Sequence, residues 1–169
     1  MPELLREWAE FNVAMVGATA ALAGLLIVAM SVNIARITGE SSLTARIAGS
    51  LATLVLAIVA TGLAIAPEQP ARLFGLEVLL AALAATAFQV HAVRSVFADR
   101  AQSPTVAVRF GKSIAGVLPL LAYLSGALAL VVAGDDGAAA GLWLLAVGTL
   151  LAIAAAIVHA WVVLVEVLR

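Results

Sequence analysis

Two glutamates and two histidines lie within long apolar stretches of this 169-residue sequence: Glu77, His91, His159 and Glu166. Charge is costly inside lipid, so such groups predict a functional site. Because histidine changes its charge near neutral pH, a histidine pair tuned by Glu166 would relay protons or bind a cation. The alternative is that both histidines hydrogen-bond to backbone or lipid headgroups at the membrane interface, and that Glu77 extends to the outer surface.

Helical spacing decides which of these side chains lie together. Seven residues make nearly two turns, so Glu77 and His91 share one helix face and lie roughly 21 Å apart along the axis. His159 and Glu166 share a face of a later helix in the same way. That face also carries four small residues: Gly141, Gly148, Ala152 and Ala155. Small residues favour close helix packing, so we expect His159 and Glu166 to face protein.

The first apolar stretch has two distinctive faces. One carries the polar residues Asn12, Thr19 and Asn33, as pore lining or as polar contacts between helices. The other carries Gly17, Ala21 and Gly24, whose spacing allows close approach of a second helix. A helix that faces lipid needs neither stripe. We therefore expect this helix to be packed on both sides, at the centre of the monomer or with one side in an oligomer contact.

Composition predicts the elements that carry these residues. The chain is 64% hydrophobic and 11% charged, whereas soluble domains are roughly 45–50% apolar and about 25% charged. Apolar runs of membrane-spanning length recur, so we predict a single all-α integral membrane domain over residues 1–169. The five predicted transmembrane spans are residues 11–34, 45–66, 73–97, 113–133 and 138–168.

The positive charges predict the topology. With the N-terminus outside, the inner segments hold seven Lys or Arg residues: Arg36, Arg46, Arg94, Arg100, Arg109, Lys112 and Arg169. The outer segments hold only Arg6 and Arg72. Because cytoplasmic loops are enriched in Lys and Arg, this bias predicts an N-out, C-in multi-pass protein of the inner membrane.

An internal repeat relates the later spans. A shift of 67 residues places Ile47-Ala48-Gly49 on Ile114-Ala115-Gly116, and a shift of 68 places Val90-His91-Ala92 on Val158-His159-Ala160. The chain has only two histidines, so the second match is informative. The pattern favours a duplicated helical hairpin behind a single first helix.

Several function classes lack their sequence patterns. The chain has no cysteine and a net charge of −1, so we expect no zinc–thiolate site and no nucleic-acid partner. Phosphate-binding glycine loops, a Gly-x-Ser-x-Gly elbow and a His-Glu-x-x-His motif are all absent from the sequence. Two histidines and a glutamate are too loosely spaced for a metal site. We therefore expect no enzyme activity, metal or cofactor.

The residues from Val16 to Asn33 resemble the opening helix of a family of small, uncharacterised bacterial polytopic membrane proteins. The turn Pro67-x-Gln69-Pro70 and the Gly75-Leu76-Glu77 that follows it are similar too. Members of this family are often labelled automatically as modulators of a membrane-bound ATP-dependent protease. The resemblance, which covers about the first half of the chain, implies an accessory role.

These patterns together predict a non-enzymatic inner-membrane protein that acts through helix–helix contacts in the lipid bilayer. Its expected partner is a second copy of the chain or another membrane protein. The alternative is a small oligomeric ion or proton channel, or a transporter, that uses the intramembrane histidine, glutamate and asparagine residues.

Overall fold

The computed structural model describes residues 2–32, 34, 41–99 and 105–166, and these contain helices and no strands. We number the α-helices α1 (Pro2–Glu7), α2 (Ala9–Val32), α3 (Ser41–Ala64), α4 (Ala71–Ala98), α5 (Val106–Ala133) and α6 (Ala138–Trp161). A 3-10 turn, Gly134–Gly137, joins α5 to α6, and a π-helical turn, Val162–Glu166, follows α6. The all-α class predicted from the sequence is confirmed.

Four helical stretches are long and apolar enough to cross a membrane. They are Ala9–Val32, Ser42–Ala64, Ala71–Ala98 and the 59-residue stretch Val106–Leu164, which contains α5, the 3-10 turn and α6. A membrane protein needs such helices because they satisfy every backbone hydrogen bond within the segment. The architecture therefore agrees with the predicted class of membrane protein.

The two ends of the bundle differ. The turn between α3 and α4 and the turn between α5 and α6 line one pocket, so both lie at the same end, which we call the turn end. Gly134 has φ +58 there, a conformation that favours glycine. Trp8 packs edge-to-face on Trp143 with ring centroids 4.9 Å apart, which brings the start of α2 to the turn end as well. We call the opposite end, where α3 begins and α4 ends, the loop end.

Helix α3 occupies the centre of the bundle. It packs against α2, α4, α5 and α6, and 56% of its most apolar window is buried, compared with 22% for α2. Within the described residues, helix α2 packs mainly along α3 and α6, with smaller contacts to α1 and the π-helical turn, and it buries Leu26 and Ala29. Of the two predicted placements for α2, the centre of the monomer is therefore wrong. It lies at the edge.

Glycines bring α5 and α6 close together. A Cβ atom built on Gly126 would lie 2.9 Å from the Gly141 carbonyl oxygen, and one built on Gly148 would lie 3.0 Å from the Tyr123 ring. Such distances leave no room for a larger residue. The hydroxyls of Tyr123 and Thr149 lie 2.8 Å apart and join the same two helices. The 3-10 turn thus folds the chain back into a tightly packed helical pair.

Positions that the proposed repeat makes equivalent lie in unlike surroundings. Leu54 is fully buried, whereas Leu121, 67 residues later, is 55% exposed. His91 is exposed and His159 is buried. The duplication therefore stays a prediction, and its two halves do not make equivalent contacts.

Candidate functional site

The outer face of α2 carries small residues that no other described helix covers. The residues of α2 that the other helices bury are Asn12, Thr19, Ala23, Leu26 and Ala29. Gly17, Ala21 and Gly24 lie on the exposed side. A Cβ atom added to Gly17 or Gly24 would have no neighbour within 4 Å. The predicted helix-packing stripe therefore faces away from the rest of its own chain.

The polar residues of α2 face inward. Thr19 is fully buried, and its hydroxyl donates to the Met15 carbonyl at 2.7 Å, within its own helix. Within the described part of the chain, its hydrogen bonds stay in its own helix. Asn33, the third predicted residue of this stripe, lies outside the described residues. The predicted pore-lining stripe is thus turned into the bundle at Asn12 and Thr19.

Asn12 lines a small cavity at the turn end. The cavity measures about 10 Å³ and lies where α2, α3 and α6 meet. Its polar lining residues are Asn12, Thr61 and Thr149, and its apolar walls include Trp8 and Phe74. Asn12 is only 6% exposed. Asn12 therefore lines this cavity rather than the outer surface of the bundle.

His159 is buried and lies against an arginine. It is 3% exposed, and its Nε2 lies 3.3 Å from Nη2 of Arg46, near the start of α3. Since a guanidinium group can only donate, Nε2 accepts this hydrogen bond and the ring proton resides on Nδ1. Nδ1 makes no hydrogen bond of good geometry within the described residues. The arrangement ties α6 to α3 through a neutral imidazole.

Among the other predicted site residues, His91 and Glu77 lie away from His159. His91 lies on the exposed face of α4, so it does not meet the buried His159 within the chain. Glu166 belongs to the π-helical turn, and its side chain lies outside the described part of the structure. Glu77 is half-buried and accepts a hydrogen bond from Nε2 of Gln69 in the turn that precedes α4. This contact fastens the α3–α4 turn to α4.

Sequence reasoning missed Gln89, which joins three helices. The Gln89 side chain is 7% exposed, and its Oε1 lies 2.8 Å from a Cβ built on Gly49 and 2.6 Å from one built on Gly116. The amide thus fills the space between two glycines on α3 and α5. The sequence feature that could have identified Gln89 is an amide inside an apolar stretch, because polar groups in a membrane span are costly unless they are buried in protein.

A further hydrogen bond closes the loop end. The Ser42 hydroxyl donates to the Asp99 carboxylate at 2.7 Å and joins the start of α3 to the end of α4. Between this contact and the turn end, a groove of about 390 Å³ runs between α3 and α4. Its lining is wholly apolar, and half of it is alanine: Ala48, Leu51, Ala52, Val55, Leu56, Val59, Ala81, Ala84, Ala85 and Phe88.

The described residues contain no group of three or more His, Cys, Asp or Glu side chains placed to hold a metal ion. They contain a set of polar contacts between helices, and a small-residue face on α2 that no other described helix covers. In comparisons with known proteins, no family model, no curated protein and no solved structure matches this chain.

Proposed function

We propose that this chain is a non-enzymatic inner-membrane protein that acts through helix–helix contacts made by the outer face of α2. The observation that carries the proposal is the open space around Gly17 and Gly24. Helices associate in lipid through close van der Waals packing, which small residues permit. A small-residue face without a neighbour in its own chain is therefore suited to a helix of another chain.

The favoured partner is a second copy of the chain, with an accessory role beside another membrane protein as the alternative. A single cysteine placed at Ala21 tests this directly, because the natural sequence has no cysteine. We expect Ala21→Cys to form a disulfide-linked dimer in oxidised membranes. The matched control is Gly62→Cys on α3, also an exposed glycine with open space around it. Equal crosslinking of both variants, or of neither, would count against α2 as the contact surface.

We further propose five membrane crossings, with the N-terminus outside and the C-terminus inside. A straight helix of 59 residues would be about 88 Å long, nearly three times the roughly 30 Å hydrocarbon core. The turn at Gly134–Gly137 supports two crossings in its place. We expect a membrane-impermeant maleimide to label Asp136→Cys in intact cells and Val106→Cys only after permeabilisation. Labelling of both from outside would contradict this topology.

Conduction of ions or protons is the second candidate function, and the contact between the half-buried Arg46 and the buried His159 is the observation that favours it. Ionisable groups buried in a span often mark a conduction path. A liposome flux assay separates the two candidates. Flux that His159→Ala abolishes and the exposed control His91→Ala preserves would support conduction. If there is no flux, or if neither change affects it, helix–helix contact remains the better account.

A further inference from the structure

The cavity beside Asn12 has the size and the chemistry of a single-water site. Its volume of about 10 Å³ is close to the minimum of roughly 10–15 Å³ that one water needs. Three helices supply one polar side chain each, Asn12 from α2, Thr61 from α3 and Thr149 from α6. Two to four polar partners are what a buried water requires, so the lining meets this condition as well.

Asn12 is buried to more than nine-tenths, and the hydrogen bond found for it among the described residues is the one that its backbone N–H donates to the Trp8 carbonyl. A buried amide without a partner is strongly disfavoured, because its desolvation is not compensated. The NH2 group offers donors and the carbonyl oxygen an acceptor. An occupant of the cavity that accepts a hydrogen bond from Asn12 would remove this cost.

The two threonines line the same cavity, and their hydroxyls donate within their own helices. The Thr61 hydroxyl donates to the Ala57 carbonyl, with the two oxygens 2.7 Å apart. The Thr149 hydroxyl donates to the Leu145 carbonyl, with the two oxygens 3.0 Å apart. Since Thr149 already donates to its own helix, the hydroxyl of Tyr123 is the donor in their 2.8 Å contact. Each threonine oxygen keeps a free acceptor position.

We propose that the cavity holds one buried water that accepts a hydrogen bond from the Asn12 amide and donates one each to Thr61 and Thr149. Water is the occupant that matches this set of one donor and two acceptors in so small a volume. The water joins α2 to α3 and α6. It thereby fixes the rotation of α2 that turns Asn12 inward and Gly17 outward, whether or not the outer face has a partner.

Selective labelling tests the water directly. The sequence has only two asparagines, Asn12 and Asn33, so protein labelled with 15N-asparagine gives two side-chain amide pairs. The Asn12→Ala variant loses one pair and so assigns the signal. In deuterated micelles we expect a cross-peak between water and the Asn12 amide, and its loss in Thr61→Val. A wild-type Asn12 amide without a water cross-peak would overturn the proposal.

A double-mutant cycle provides the second test. Asn12 and Thr61 share no hydrogen bond; a water between them, or repacking of the cavity that both line, couples their effects on unfolding, whereas the effects of independent residues multiply. We expect Asn12→Ala and Thr61→Val each to raise the unfolding equilibrium constant by about fivefold, and together by clearly less than 25-fold.

The matched control is Thr53→Val. Thr53 lies two turns away on α3, has the same 3% exposure as Thr61 and also donates to its own helix, but it does not line the cavity. The factor by which Thr53→Val raises the unfolding equilibrium constant should multiply with that of Asn12→Ala. Multiplication in both pairs would contradict a shared water.

Discussion

Helices α6 and α2 carry the same small-residue pattern with opposite outcomes. Each has two glycines seven residues apart, Gly141 and Gly148 on α6 and Gly17 and Gly24 on α2. On α6 a Cβ atom built on either glycine would meet side chains of α5, whereas on α2 a Cβ atom built on either glycine would have no neighbour within 4 Å. The pattern therefore indicates that a helix is built for close packing, but it does not indicate whether the partner lies in the same chain.

Lipid as solvent explains why the uncovered face matters. Lipid tails are as apolar as leucine, so burial of apolar surface alone gives no advantage to a helix pair. The gain comes from close contacts, and a shallow glycine face offers many of them to a second helix. The covered and uncovered faces should then respond differently to the same substitution.

The largest difference in stability is expected between Gly126→Leu and Gly24→Leu. Leucine at position 126 would force α5 away from the Gly141 backbone on α6. Overpacking of this kind costs typically 1–3 kcal/mol, and we expect the upper end, about 3 kcal/mol. Leucine at position 24 enters open space and replaces a poor helix former, so monomer stability should stay level or rise by up to about 1 kcal/mol. Unfolding titrations in mixed micelles measure both. Equal losses would remove the distinction between the two faces.

A smaller contrast separates two polar residues of α4. Gln89 fills the space between Gly49 and Gly116, whereas His91 faces outward. We expect Gln89→Ala to cost about 2 kcal/mol through the cavity it leaves. His91→Ala should stay within about 0.5 kcal/mol, as is usual for surface positions. A large loss of stability in His91→Ala would show that its exposed face is covered after all.

The smallest effect concerns the hydrogen bond between α5 and α6. Tyr123→Phe keeps the ring against Gly148 but removes the hydroxyl that contacts Thr149. A typical net contribution is about 1 kcal/mol. The exposed Ser125, whose hydroxyl returns to its own helix, gives the control Ser125→Ala. If both changes have the same small effect, then close glycine packing alone holds this helical pair.

Hydropathy and the spacing of small residues predict much of the fold. The all-helical class and the long apolar helices follow from the length of the apolar runs. The stripe through Gly141 and Gly148 is buried, together with His159, as its composition indicates. These features depend on the chemistry of one helix alone, which is why the sequence reveals them.

Features that depend on several helices could not be predicted in this way. His91 and His159 sit in identical Val-His-Ala triplets, yet one is exposed and the other buried, because the rotation of a helix is set by its neighbours. Gln89 has its two glycines on other helices, so nothing near it in sequence reveals their contact. The position of α2 at the edge of the bundle likewise follows from the packing of α3 against four other helices.

The oligomeric state of the Gly17→Leu/Gly24→Leu double variant tests the central proposal most directly. Single-molecule photobleaching in lipid bilayers should show wild-type protein and the control Gly62→Leu as assemblies, since Gly62 is an open glycine outside α2. The double variant should be monomeric, with an unfolding midpoint at least as high as that of the wild-type monomer. Assembly of the double variant at wild-type levels, or a strictly monomeric wild type without a co-purifying partner, would contradict the account.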